Sequence, residues 1–361
     1  MKVPRDIAAS IRQELRVWFA DAARDMPWRR TRDPYRIWLS EVMLQQTRVD
    51  QAIPYYERFV TRYPDVDALA SAELDEVLRD WEGLGYYARA RNVHRTARLL
   101  VRENGGAFPR ERDKMLSLPG VGAYTAHAVL SIAGGMPLAA VDGNVTRVLS
   151  RLLEIRDDPR STGGARKFQR LADDLLDTSD PGTFNQALME LGATVCVPKA
   201  PRCDICPVST SCAALASGTV EKYPTAPRKA RVPNHRVAAA LIFDSAGRVF
   251  IQRRKDDGLL GGLWEFPGGK IEPGETPRQA CIREVREELG IRVDVEEELP
   301  EIRHAYSHFK VVISPFVCVP ATEPASTALP NAWVHLDELD RYAMPGATRK
   351  IVAVFRRQGN C

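Results

Sequence analysis

No apolar run in this 361-residue chain reaches the ~18 residues that a membrane-crossing helix needs, so a transmembrane role is excluded. There is no internal repeat and no low-complexity tract, which removes solenoids, propellers and fibrous arrays. The N-terminal MKVPRDIAASIRQ lacks the unbroken apolar stretch of a secretory signal, so an intracellular, cytoplasmic protein is expected. Charge of one sign is missing too: 51 Lys and Arg against 47 Asp and Glu leave +4, which alone selects no partner. Cysteine is scarce, seven residues in all, and a chain of this length can bury its cores without disulfide staples. With 44% hydrophobic and 27% charged residues the composition is that of a globular protein, and ~150 residues per domain gives two or three domains.

What is present becomes informative when it is divided by region. Residues 237–361 hold 16 basic and 18 acidic side chains, leaving a net of +6 for residues 1–236, the half better suited to a polyanion. Residues 1 to about 190 carry apolar positions at helical spacing in Ile11–Phe19, Trp38–Val49 and Leu74–Trp81, and no stretch alternates with period two. The segment 222–236, KYPTAPRKARVPNHR, has three prolines, five Lys or Arg and no acid, the composition of a tether. Beyond it, Val237–Phe243, Arg248–Arg253, Val311–Val319 and Trp333–Leu336 read as strands, with a turn at 244–247 and one helix at 277–289. The expected fold class is therefore multidomain. An all-α domain (1–220) ends in a cysteine-rich loop, a linker spans 221–236, and an α+β domain occupies 237–361.

Four of the cysteines, Cys196, Cys203, Cys206 and Cys212, fall within 17 residues at spacing C-x6-C-x2-C-x5-C, stiffened by Pro198, Pro201 and Pro207. In a reducing compartment such clustering points to metal: zinc is the general default for four thiolates, and iron–sulfur clusters use the same ligands. The spacing resembles the cluster loop of the endonuclease III family of DNA glycosylases. That resemblance implies a 4Fe–4S cluster, with Lys199 and Arg202 on a rigid basic surface beside it.

Leu118-Pro119-Gly120-Val121-Gly122 joins two apolar helical stretches. Gly120 and Gly122 leave backbone N–H groups open to a phosphate, although an ordinary helix–helix turn would look similar. Asp142 precedes a helix, where an N-cap is commonplace, and Glu41 taken alone reads as a solvated helix residue. As a pair they match the needs of glycosidic bond cleavage: one carboxyl protonates the leaving group while another stabilises an oxocarbenium-like centre. An acid with a raised pKa in an apolar pocket suits a purine leaving group, and Trp28, Trp38 and Met43 are candidates to form that pocket.

PWR (27–29), DPYRIWLSEVMLQQTRV (33–49), WEGLGYYARARN (81–92), LPGVGAYTA (118–126), VDGNVTRVLSR (141–151) and FNQALMELGATVC (184–196) together resemble the MutY-type adenine DNA glycosylases, the likeness running through nearly all of residues 15–215. The resemblance implies a helix-hairpin-helix fold and a monomeric enzyme acting on double-stranded DNA with adenine opposite 8-oxoguanine. It makes Glu41 the acid for adenine N7 and Asp142 the stabiliser of the sugar cation, with Tyr124 and Asn144 in support. Trp28, Arg29 and Gln186 line the adenine pocket, while Gln46 and Tyr86 wedge into the base stack. Strand-cutting relatives carry a lysine where this chain has Tyr124. Without that amine no Schiff base forms there, and a monofunctional glycosylase is expected.

Residues 269–291 fit the Nudix box, G-x5-E-x7-R-E-U-x-E-E-x-G-U with U aliphatic, at every position. Thr276 with Gln279 reads as a capping box, Pro277 takes the first helical position and Gly290 ends the helix. Glu284, Glu287 and Glu288 then share a face, a hard-oxygen set suited to Mg²⁺ or Mn²⁺, and Arg283 can pair with Glu275. LWEFPGGKIEPGE resembles MutT-type hydrolases of oxidised guanine nucleotides. MutY-type enzymes also end in a MutT-like domain that reads 8-oxoguanine, and His304–Phe309 resembles their recognition loop, with Ser307 and His308 on the lesion. Their box is usually eroded. The intact one here raises the alternative of an added metal-dependent hydrolase of oxidised purine nucleotides. A non-catalytic damage-binding scaffold is disfavoured by the Glu41 and Asp142 pair, and a pyrimidine lyase by Tyr124.

Overall fold

The computed structural model describes residues 3–225, 232–256, 258, 260–306, 309–322 and 329–358. The chain divides into two compact units, Met1–Ser71 with Asn92–Lys229, and Ala72–Arg91 with Ala230–Cys361.

Among the described residues nothing before Asn234 is strand. The helices run α1 Arg5–Ala22, α2 Pro34–Leu44, α3 Val49–Arg62, α4 Val66–Ser71, α5 Leu74–Asp80, α6 Ala88–Asn104, α7 Arg112–Leu116, α8 Ala123–Ile132, α9 Gly143–Leu152, α10 Thr162–Leu175, α11 Pro181–Thr194 and α12 Ala213–Ala216. In the first unit, a core forms from one face each of α1 (Ile11, Leu15), α9 (Val145, Leu149, Leu152), α10 (Phe168, Leu171, Leu175) and α11 (Phe184, Leu188, Leu191). Those residues stand three or four apart, which is why they meet on one side of each helix. The expectation of one helical run over Trp38–Val49 is corrected here. The run breaks after Leu44, because Gln46 takes a left-handed φ of 59° that no α-helix accommodates.

In the second unit β1 (Asn234–Ile242), β2 (Val249–Arg253), β3 (Trp264–Glu265), β4 (Gly268–Lys270), β5 (Val293–Glu298), β6 (Ile302–Ala305), β7 (Lys310–Pro320) and β8 (Asn331–Val334) form two sheets. The larger runs β4-β1-β7-β5 with β6 also on β7, and its β1–β7 pair is parallel; the smaller is β3-β2-β8. Period two along β1 divides its side chains between two cores. Ala238, Ala240 and Ile242 face α13 (Pro277–Leu289), while Ala239 and Leu241 join the core built on Ile351, Val352 and Phe355 of α14 (Gly346–Arg357). Four expected strands and the helix at 277–289 are found within a few residues; β3 to β6 were not expected. The first two of those are too short to show a pattern, and β5 carries the acids Asp294, Glu296, Glu297 and Glu298. The helix opens on the capping box of Thr276 and Gln279 and closes on Gly290 at φ 70°.

Candidate active site

A cavity of about 1110 Å³ opens in the first unit, and it gathers residues from distant parts of the chain. Glu41 comes from the buried face of α2, Tyr124 from the first turn of α8, Asp142 and Asn144 from the start of α9, and Gln186, Met189 and Glu190 from one face of α11. Trp28, Arg29, Gln46, Gly120 and Gly122 complete the part expected from sequence. Trp38 and Met43, expected beside them, are fully buried in the core and absent from the lining. Tyr86 belongs to the second unit, where it has φ 51° and its ring lies 5.3 Å from the Arg89 guanidinium. Ser307 and His308 lie outside the described residues.

Glu41 is the centre of the electrostatics. Burial drives its pKa up to about 7; the hydrogen bond from Tyr124 pulls it down, the neighbouring Asp142 pushes it up and Arg29 pulls it down. The Tyr124 hydroxyl donates to Glu41 Oε2 at 2.5 Å and lies 3.2 Å from Met189 Sδ, so the acid is held in one direction. A carboxyl of this kind still carries its proton in about half of the molecules at neutral pH and can pass it to a base in the cavity.

Asp142 serves as an N-cap and still presents a carboxylate to the cavity. Its Oδ1 accepts from the Val145 N–H at 2.7 Å and its Oδ2 from Asn144 Nδ2 at 2.9 Å. Burial raises its pKa, and these hydrogen bonds act against that rise. Arg147 steadies Asn144 by donating Nη2 to Asn144 Oδ1 (2.8 Å) and Gly192 O (2.7 Å), while its Nε donates to Cys196 O (2.7 Å). At this crossing α11 approaches α9 so closely that a Cβ on Gly192 would stand 2.6 Å from Cβ of Asn144.

The hairpin between α7 and α8 turns at Gly120, φ 73°, where a Cβ would also come within 2.8 Å of the Asn92 Cβ. Gly122, the N-cap of α8, has nothing within 4 Å of its would-be Cβ, so its backbone faces open space. Open N–H groups at a helix start form an anion site.

The four clustered cysteines are half-buried and none is in a disulfide. Three of them pack against the core of the first unit. Burial and the neighbouring thiols push Cys203, Cys206 and Cys212 up, Cys206 to about 11, so the four groups stand close enough to oppose one another's ionisation. Buried Arg151 ties the loop together, donating Nη1 to Cys196 Sγ (3.4 Å) and Val197 O (2.8 Å), Nη2 to Pro198 O (3.1 Å) and Nε to Tyr223 O (3.1 Å). Its own carbonyl accepts from Cys212 Sγ at 3.7 Å. Soft, mutually repelling thiols anchored by a cation fit a thiolate-ligated metal centre. Among the described residues no group of three or more His, Cys, Asp or Glu is arranged for a single ion.

In the second unit Arg283 pairs with Glu275 as expected, Nε to Oε1 at 2.9 Å and Nη2 to Oε2 at 3.0 Å, and its Nη1 reaches Glu284 (3.0 Å) and Glu287 (3.2 Å). Glu288 turns elsewhere, accepting from Gln252 Nε2 (2.8 Å) and the Gly268 N–H (3.1 Å). Sequence reasoning missed Glu265, which burial raises to about 7 despite Arg254 at 2.5 Å, and it missed Arg24, Met189, Glu190, Arg147 and Arg151. The signal was spacing. Met189 and Glu190 follow Gln186 by three and four residues, and Arg147 follows Asn144 by three, so each pair shares a helix face.

A helical unit with a glycine hairpin and two carboxyls facing one cavity defines a class, base-excision repair glycosylases of the helix-hairpin-helix type. Residues 39–173 match the "HhH-GPD superfamily base excision DNA repair protein" family, and residues 238–354 match the "NUDIX domain" family. The chain is similar to the adenine DNA glycosylase of Homo sapiens, 36% identical over 99% of this chain and 77% of that one. It is also similar to the adenine DNA glycosylase of Buchnera aphidicola subsp. Acyrthosiphon pisum, 29% identical over 94% and 96%. Among solved structures, a thermostable thymine-DNA glycosylase aligns with TM-score 0.55 and 30% identity, covering 59% of this chain and 98% of its own. An endonuclease III in a non-covalent complex with DNA aligns with TM-score 0.52 and 25% identity, covering 60% and 98%. The chain belongs to the adenine DNA glycosylase family.

Proposed function

We propose that the chain excises adenine paired with 8-oxoguanine, or with guanine, from double-stranded DNA and leaves an abasic site. The observation that carries this reading is a buried carboxyl, Glu41, that is protonated near neutral pH in a cavity it shares with Asp142. Glu41 gives its proton to adenine N7. The C1′–N9 bond then breaks with its electron pair going to the base, which leaves neutral, and Asp142 as carboxylate faces the cation left on the sugar until water adds at C1′ and passes its proton to the Glu41 carboxylate. Tyr124 aims Glu41, and Asn144 aims Asp142. Trp28, Arg29 and Gln186 take up the base. Gln46 and Tyr86 are the residues assigned to wedge into the base stack, and each has a left-handed backbone φ. The N–H groups at Gly120 and Gly122 bind backbone phosphate. With Tyr124 where strand-cutting relatives carry lysine, the activity is monofunctional.

Cys196, Cys203, Cys206 and Cys212 would hold a 4Fe–4S cluster, whose chemistry here is to cross-link a loop. In this reading the glycosylase domain is 1–220, 221–236 a linker and 237–361 the domain that reads 8-oxoguanine through Ser307 and His308, in a cytoplasmic monomer. Single-turnover release of adenine from duplexes bearing 8-oxoguanine, guanine or thymine opposite tests it. The expected order is 8-oxoguanine first, then guanine, with thymine inert. Glu41→Gln and Asp142→Asn should each abolish release, and wild-type rates in either variant would reject the mechanism.

A second reading adds hydrolysis of oxidised purine nucleotides in the Nudix-like domain, with Mg²⁺ or Mn²⁺ drawing Glu284, Glu287 and Glu288 together from the separate partners they hold here, Arg283 for the first two and Gln252 and the Gly268 N–H for the third. The pairing of Arg283 with Glu275 inside a complete box favours it. Phosphate release from 8-oxo-dGTP with Mg²⁺, lost in Glu287→Gln, supports that reading, and no release from the wild type rejects it.

A further inference from the structure

Glu190 is a buried carboxylate in the cavity wall, its side chain 1% exposed, and no step above uses it. It sits on α11 one residue after Met189. Its Oε1 accepts from Arg24 Nε at 2.6 Å, and its Oε2 accepts from Arg24 Nη2 at 2.9 Å and from Arg29 Nη2 at 2.8 Å. Arg29 is further fixed by donating Nη1 to Arg24 O at 3.0 Å and by lying over the Phe19 ring, 5.0 Å from its centroid. Two guanidiniums thus share one buried carboxylate, and Arg29 is the cation whose field reaches Glu41.

This juxtaposition creates a conflict. A purine pocket gains from a rigid guanidinium, which donates to ring nitrogens in a fixed plane. A bare positive charge beside Glu41 would favour its carboxylate form and empty the acid before adenine arrives. We infer that Glu190 is a positioning residue for excision: it holds Arg24 and Arg29 in place and takes up their charge, so that the cationic wall does not draw the proton from Glu41. The inference rests on the reading of Glu41 as the acid.

The groups that act on Glu41 are Tyr124 from α8, Asp142 from the start of α9 and Arg29 from the turn Pro27–Arg30, and the charged groups Arg24, Arg147, Arg160 and Glu190 line the same cavity. Those that face Glu190 are Arg24 and Arg29, and Asp50 also acts on Arg24. Burial alone would raise the Glu190 pKa, but the bonds from Arg24 and Arg29 outweigh it and hold the group below its usual range, so it is ionised wherever Glu41 titrates. Neutralising it leaves Arg29 uncompensated, and Glu41 must then lose its proton at lower pH.

The test is the pH profile of single-turnover adenine release by the full-length protein carrying Glu190→Gln, which keeps shape and one acceptor while removing charge. The high-pH limb should move down by about one unit, so the variant approaches the wild-type rate on the acid side and falls roughly tenfold behind on the alkaline side. Adding Arg29→Met to Glu190→Gln should return the limb toward its wild-type position whatever happens to the absolute rate, because the limb and not the amplitude is read. Glu190→Asp should keep the wild-type limb. A limb that stays in place in Glu190→Gln, with the rate lowered equally at every pH or not at all, overturns the inference. If Glu190→Gln does not fold, Arg24→Gln, which takes one cation off the shared carboxylate, is read in the same way: the limb should move up, and a limb that stays in place overturns the inference. Failure of the underlying reading has a separate signature, excision by Glu41→Gln at the wild-type rate.

Discussion

At the scale of single residues, the candidate site runs on one carboxyl kept out of water. Glu41 goes from an ordinary 4.5 to about 7 through burial, and the shift has consequences for stability as well as chemistry. Between those two values the folded protein holds a proton that the unfolded chain releases, so stability falls as pH rises through the window and stays lower above it. Glu41→Gln, which removes the charge and keeps the volume, is expected to be more stable than the wild type above pH ~7 by on the order of 3 kcal/mol relative to its standing below pH ~4. Denaturant unfolding at the two ends of the window checks this, and a constant difference across pH rejects it. Glu41 itself was legible from the SEVMLQQTRV motif. A raised pKa was expected from the needs of a purine leaving group, but the surroundings that supply the burial were not legible, because they come from helices that lie far away along the chain.

At the scale of elements, the hairpin separates two glycines that look equivalent in sequence. Gly120 has a left-handed φ and Asn92 packed against it, so Gly120→Ala should cost ~1–3 kcal/mol of stability. Gly122 is extended at φ −88° and open on its Cβ side. Gly122→Ala should leave the melting temperature within a few degrees of the wild type while weakening DNA binding, since the methyl occupies the space a phosphate would use. Equal effects of the two substitutions on the melt would defeat this distinction. On α9, Arg151 carries a buried charge that feeds several backbone carbonyls of the cysteine loop. Arg151→Met leaves those carbonyls unsatisfied and should destabilise the protein by ~3 kcal/mol or more, with loss from the purified protein of the visible absorbance that the proposed cluster would give. Full retention of both would show that the loop stands without it.

At the scale of the whole molecule, the slight net charge conceals a division: the +6 of residues 1–236 against the −2 of residues 237–361. Affinity for a DNA duplex should therefore be carried by cations of the first region and fall by orders of magnitude from ~50 to ~200 mM salt, which fluorescence anisotropy titrations measure directly. An affinity indifferent to salt would contradict phosphate contacts as its main source. No described helix is long and apolar enough to cross a membrane, as the sequence required.

The family and the central residues of the cavity were legible in the chain, because the motifs around Glu41, Tyr124, Asp142, Asn144, Gln186 and the cysteines each need particular residue types at short, local spacing. The division at Gln45–Arg48 and the strands β3 and β4 were not, since a left-handed turn residue and two- or three-residue strands leave no period to read, and β5 was hidden by its run of acids. Only tertiary structure decided which charges would share a site. Arg24 and Glu190 lie 166 residues apart and each reads alone as a solvated side chain, yet packing α11 beside the turn Pro27–Arg30 brings both to the wall of the acid's cavity. Pairing of charges depends on distance in space and on the loss of water around them, and neither is written in local sequence.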